Sequence, residues 1–196
     1  MSKIGLWTDS HNFPSLPLMK LSAYHKAMGD EVEMYMPINQ YDLVYASKVF
    51  SFTDDIDTNS VIQADEVRMG GTGYCISVKN GREVFDNSKN SSLSMEIEHI
   101  YPDYALYPQY KYAVGFLTRG CPRNCGFCVV GEKEGLCSKQ AADLNEFWRG
   151  QKEIKLLDPN ILACENYESL LKQLAESKAR VDFTQGLDIR LTNPDN

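Results

Sequence analysis

Nowhere in this chain do apolar residues run to the roughly 18 that a membrane-spanning helix requires, which excludes a helical transmembrane protein. The first residues, Met1-Ser2-Lys3-Ile4-Gly5, lack the apolar stretch of a secretory leader. The expected setting is therefore cytoplasmic and reducing, where cysteines do not serve as disulfide staples. Positive charge is scarce too: 20 Lys+Arg stand against 27 Asp+Glu, a net charge of −7. That balance argues against nucleic acid or an anionic membrane as a broad electrostatic partner. No internal repeat at a solenoid period is present. Core-forming material, by contrast, is ample: 43% of the 196 residues are hydrophobic and 24% charged, so the chain is expected to fold.

Hydrophobic patterning divides the chain. Lys3 to Thr8 reads as a short buried strand running into the polar turn Asp9-Ser10-His11-Asn12. A helix follows, with Pro14 and Pro17 in its first turn, Leu16, Met19, Ala23 and Ala27 on one face, and Gly29 at its C-terminal cap. Glu31–Met36 and Leu43–Ala46 are the next strands. Val61 to Ala64 reads as a short helix before a fourth strand, Glu66–Met69, which ends in Gly70-Gly71-Thr72-Gly73. This rhythm predicts an α/β fold with a parallel sheet over residues 1–75. Residues 76–110 read as a connector, with a hairpin turn at Lys79-Asn80-Gly81-Arg82. A second α/β stretch occupies 111–196: strands at Tyr112–Leu117, Ile154–Leu157 and Val181–Thr184, a helix around Ala141–Arg149, and another at Tyr167–Lys178.

The strongest chemical signal is Gly120-Cys121-Pro122-Arg123-Asn124-Cys125-Gly126-Phe127-Cys128 at the end of a strand. Three thiolates within eight residues can reach one soft-metal centre without help from the rest of the fold. A structural zinc is the alternative, because Cys125-x2-Cys128 is a zinc-type pair that Cys121 or Cys137 would complete; a second well-separated pair is missing. Cys75, Cys137 and Cys164 otherwise read as free thiols.

The spacing C-x3-C-x2-C, the preceding Thr118-Arg119-Gly120 and the aromatic Phe127 before the last cysteine resemble the radical S-adenosylmethionine (SAM) superfamily. The resemblance implies that 111–196 is the first part of a radical SAM (β/α) partial barrel, and that Cys121, Cys125 and Cys128 ligate a [4Fe-4S] cluster. The open iron would chelate SAM, with Phe127 near the adenine. One electron from an external reductant would break the S–C5′ bond and release a 5′-deoxyadenosyl radical that abstracts hydrogen from the substrate. Where family members bind the SAM amino group after the second barrel strand, this chain has Leu157-Asp158-Pro159-Asn160, so Asp158 and Asn160 are the candidates there; an Asx turn is the equal alternative. Gln185, Asp188 and Arg190 follow the third strand, where members contact SAM or substrate; Asp188 and Arg190 also suit a surface ion pair.

Residues 1–75 resemble the Rossmann-like cobalamin-binding domain that precedes the barrel in one branch of that superfamily, which implies a Rossmann-like parallel sheet there. The resemblance nominates His11, in Asp9-Ser10-His11-Asn12-Phe13-Pro14, as a cobalt ligand, and Gly70 and Gly71 as glycines that permit close backbone approach to a ligand, an ordinary strand-end turn being the equal alternative. The usual glycine of that loop is Pro14 here, and the competing reading makes Asp9 or Asn12 a helix-entry cap and His11 a surface residue. His25 and His99 read as structural. The substrate and catalytic residues are not readable, and a tRNA substrate stays open with no basic stripe to support it. At about 30 residues per strand–helix repeat, 111–196 supplies about three strands, fewer than a barrel needs; the expectation is a truncated chain, the alternative an abridged protein that needs a partner.

Overall fold

The computed structural model describes residues 1–10, 12–56, 63–79 and 81–192. His11, Val61, Ile62 and Asn80, which carry expectations above, lie outside the described residues. Two compact units divide after Tyr110: Met1–Tyr110 and Lys111–Asn196. Among the described residues no helix is long and apolar enough to cross a membrane.

The first unit is built on a parallel four-stranded sheet of β1 (Lys3–Thr8), β2 (Glu31–Met34), β3 (Tyr41–Ser47) and β4 (Ala64–Gly70), in the order β2-β1-β3-β4. Between β1 and β2 runs α1 (Leu16–Ala27), with Pro17 in its first turn and Pro14 ahead of it. Gly29 follows the helix with φ +87°, the left-handed conformation that suits a C-terminal stop. The expected apolar stripe is only half right. Leu16 and Met19 are buried, whereas Ala27 is exposed, and Lys20 and Ser22 are buried instead. The reason lies in residues 94–106, which wrap that side of the helix. Lys20 Nζ donates to the Glu98 carbonyl (2.5 Å) and carboxylate (3.0 Å), and Ser22 Oγ and Lys26 Nζ both donate to Asp103 Oδ2 at 2.6 Å.

One core cluster joins Ile4, Leu6, Leu18, Leu21 and Leu43, with Leu93, Ile97 and Leu106 packed on it; a second joins Tyr41, Val44, Ala46 and Ile56. Residues 76–110 therefore belong to the first unit and complete its core. They contain α2's continuation, since α2 (Thr72–Cys75) leads into the antiparallel hairpin β5 (Ile76–Lys79) and β6 (Arg82–Phe85), as the Asn80-Gly81 turn predicted, and then α3 (Met95–Glu98). The helix expected at Val61–Ala64 is corrected at its described end: Ala64 is already in β4, drawn there by parallel pairing with Tyr41.

The second unit carries a parallel three-stranded sheet, order β11-β10-β7, of β7 (Ala113–Gly115), β10 (Glu153–Leu156) and β11 (Arg180–Phe183). A two-stranded ribbon, β8 (Thr118–Arg119) with β9 (Lys139–Gln140), flanks α4 (Val130–Glu134). The amphipathic α5 (Tyr167–Ser177) buries Leu170 and Leu174. The helix expected over 141–149 is a single 3-10 turn, Leu144–Glu146. Asp143 and Glu146 close a capping box around that one turn, Phe147 folds its ring against Gly115, and Gly150 turns the chain at φ +93°.

Candidate functional site

Because β7, β10 and β11 are parallel, the loops leaving their C-terminal ends emerge at one edge of the sheet, the usual ligand-binding side of such layers. Those loops are the cysteine loop, residues 157–160, and residues 184–190. Side-chain contacts join all three.

The cysteine loop is tied at its neck. The Glu134 carboxylate, at the end of α4, accepts from Arg119 Nη1 (3.3 Å) and from the Gly120 amide (3.1 Å), while the Cys121 amide donates to the Gly135 carbonyl (3.1 Å). Gly120 has φ +85°, and a Cβ there would stand 2.2 Å from the Cys137 carbonyl oxygen, so only glycine lets the two backbones meet. Asn124 holds φ +44° at the bend, a conformation asparagine tolerates better than most residues. Beyond the neck the loop stands open. Cys125 and Cys128 are exposed, Cys121 half-buried, and Phe127 is 90% exposed. All six cysteines are free thiols; Cys75 and Cys164 are buried and Cys137 is exposed. Among the described residues no three His, Cys, Asp or Glu side chains are gathered closely enough to hold a metal ion.

Asp158 and Asn160 have other employment than an open ligand site. Asp158 is 3% exposed; its Oδ2 accepts from the Leu117 amide (3.0 Å) and its Oδ1 from the Thr118 amide (2.5 Å) and hydroxyl (2.7 Å). It thus fastens the end of β10 to the strand that leads into the cysteine loop. Burial pushes its carboxyl above the usual range, against the pull of those donors. Asn160 is 2% exposed, its Nδ2 lies 3.6 Å from Cys121 Sγ, and its Oδ1 is buried without a hydrogen-bond partner. Neither side chain presents its acceptor to solvent.

Asp188 does more than pair with its neighbour. It accepts from Arg190 Nε (2.8 Å) and also from Arg123 Nε, which sits between the first two loop cysteines. The Arg190 hydrogen bond, followed by that of Arg123, holds the Asp188 carboxyl well below its ordinary value, at about 2. The Asp188 carboxylate in turn raises the pKa of Arg190. Gln185 is exposed. Arg123 and Glu134 were missed in the sequence, since Arg123 acts on Asp188 far along the chain, Glu134 acts on the opposite side of its own loop, and neither stands in a recognisable pattern.

In the first unit, Gly70 and Gly71 end β4 against the loop after β3. A Cβ on Gly71, at φ +102°, would lie 2.2 Å from the Lys48 carbonyl oxygen, which explains the glycine by chain packing alone. Asp9 does not cap α1: its carboxylate accepts from the Val49 (2.8 Å) and Phe50 (3.0 Å) amides and the Thr53 hydroxyl (2.6 Å), and Ser15 takes the N-cap position. His25 bridges Asp30 Oδ2 (2.8 Å) and the Tyr45 hydroxyl (3.1 Å). A cavity of about 410 Å³ opens at the ends of β1 and β2, walled by Trp7, Met34, Tyr35 and Tyr107. Comparison with protein-family models and with curated proteins finds no match for this chain.

Proposed function

We propose that this chain is a radical SAM iron–sulfur protein, or a portion of one, in which Cys121, Cys125 and Cys128 hold a [4Fe-4S] cluster. The observation that carries the reading is the loop itself: three free thiols within eight residues, two of them exposed, at the C-terminal end of a parallel strand, in a loop whose Arg123 is tied to Asp188. The donor set fits a soft-metal cluster with one iron left open, although the sulfurs must draw together around it. When bound, cluster and SAM would supply one-electron cleavage of the sulfonium S–C5′ bond, with the electron brought by an external reductant. The chain's own residues anchor and shape the site. Glu134 closes the neck of the loop, Asp188 ties Arg123 to the segment after β11, and exposed Phe127 offers an aromatic face suited to adenine. Asp158 serves the scaffold, which leaves the SAM ammonium to other acceptors.

On this reading the three parallel strands β7, β10 and β11 are the opening of a (β/α) partial barrel. The first unit is a Rossmann-like layer whose cavity at the strand ends admits a small ligand. Cobalamin there has less support, because Gly71 is already explained by Lys48. A structural zinc on the same loop is the competing reading, and Cys137, whose backbone abuts Gly120, is the thiol that would complete it.

Anaerobic purification and reconstitution decide between them. The expected product is brown, oxygen-sensitive protein with about four irons per chain, and reductive cleavage of SAM that is lost in Cys125→Ala. Colourless protein carrying stoichiometric zinc would refute the proposal.

A further inference from the structure

We infer that Asn160 is a positioning residue: its buried side-chain amide donates to the Cys121 sulfur and eases reduction of the cluster, an assignment that rests on the function proposed above. Three features place the amide. Its backbone carbonyl accepts from Ser138 Oγ at 2.9 Å, and Ser138 is itself buried. The 3-10 turn that follows, Ile161–Ala163, sinks Ile161 and Leu162 into the core. Two residues earlier, Asp158 is locked to Leu117 and Thr118. With the turn so fixed, Nδ2 stands 3.6 Å from Cys121 Sγ, an N–H···S contact between a residue that is 2% exposed and the most sheltered of the three loop cysteines.

The other end of the same amide sharpens the argument. Oδ1 is buried with no donor, an arrangement that costs stability and that a hydrophobic residue of similar shape would avoid. A neutral thiol is a weak acceptor and offsets little of that cost. A metal-bound thiolate accepts far better, since hydrogen bonds to charged acceptors are about twice as strong as neutral ones. Asn160 is thus matched to Cys121 as a ligand. Adding an electron to a cluster increases charge on its sulfurs, and a fixed donor stabilises that charge. Hydrogen bonds to ligand sulfurs are among the levers that set cluster potential.

The test compares reconstituted full-length wild type with Asn160→Leu, which keeps shape and loses the donor, and Asn160→Ser, which is smaller and retains a hydroxyl. Midpoint potential comes from an EPR-monitored redox titration, and the Fe–S(Cys) stretches from resonance Raman spectra in H2O and D2O. Wild type is expected to show a deuterium-sensitive Fe–S(Cys) band. Asn160→Leu should keep the wild-type iron content, lose that sensitivity and shift to a more negative potential, with Asn160→Ser in between. Absence of the deuterium-sensitive band in wild type overturns the inference without recourse to any variant. So does a variant that binds iron with unchanged potential and spectrum. A wild-type chain that assembles no cluster refutes the proposed function, and the role of Asn160 falls with it; a wild-type cluster indifferent to Asn160 overturns this inference alone.

Discussion

Asp158 offers the most direct test of how the candidate site is built. Replacing it with alanine strands two buried backbone amides, those of Leu117 and Thr118, and removes a partner from the Thr118 hydroxyl. Each buried donor left unpaired costs about 1–3 kcal/mol. Against that, the variant is spared the burial of a carboxylate, a penalty visible in the raised pKa of Asp158. A net loss of about 3 kcal/mol is expected for the unit that contains it, a large share of the ~5–10 kcal/mol that holds a small domain together. Urea unfolding of the full chain, followed by far-UV circular dichroism, measures it. Asp158→Asn should fall between wild type and alanine, since its amide still accepts once but turns a donor toward a donor. The pH dependence has a definite sign. A carboxyl whose folded pKa is raised contributes stability that is fully present below its ordinary value of 3.8 and is lost as pH rises through the folded pKa. Asp158→Asn should abolish that slope. An alanine variant within about 0.5 kcal/mol of wild type, or one that loses SAM binding at unchanged stability, would refute the scaffold role and return the carboxylate to the ligand site.

Three further outcomes are expected. Gly120→Ala forces a Cβ to within 2.2 Å of the Cys137 carbonyl in a left-handed backbone, so the reconstituted variant should retain less iron after gel filtration than wild type. Asp188→Asn should loosen the Arg123 tether and increase proteolytic cutting of the cysteine loop. Because the Asp188 pKa is lowered to about 2, its contribution is present above the ordinary value of 3.8 and lost as pH falls through about 2, so this variant should flatten the acid limb of the loop's proteolysis profile. Leu6→Ala, at a fully buried position in the first core cluster, should destabilise the first unit by about 2–5 kcal/mol in urea unfolding.

What was legible in the sequence follows a physical line. Strands β1, β2 and β3, helix α1 and the parallel order declare themselves through local alternation, proline and glycine, because each is decided by residues within a few positions of one another. The 141–149 segment misleads for the opposite reason. Its composition is helical, yet a capping box completed within one turn and a ring seated on Gly115 end it early, and Gly115 is far away in the chain. Residues 76–110 read as a connector because their hydrophobic pattern keeps neither a strand nor a helix period and 86–92 is polar; Leu93, Ile97 and Leu106 find a common core only once α1 and β1 are placed.

The same line divides the candidate site. A cysteine's identity and spacing announce its chemistry wherever it points, so the loop is visible from residue types alone. A carboxylate or amide announces only that it needs partners. Asp158 and Asn160 stand where a ligand-binding acidic residue is expected, and they keep that position at the edge of the sheet. Their partners, though, are Leu117, Thr118 and Cys121, about forty positions back in the chain. Only the pairing of β10 with β7 brings those groups within reach. The contact that reinterprets Asn160, from ligand acceptor to sulfur donor, is therefore a product of the register that sets Leu156 of β10 opposite Gly115 of β7 and so carries the turn after β10 up to the neck of the cysteine loop.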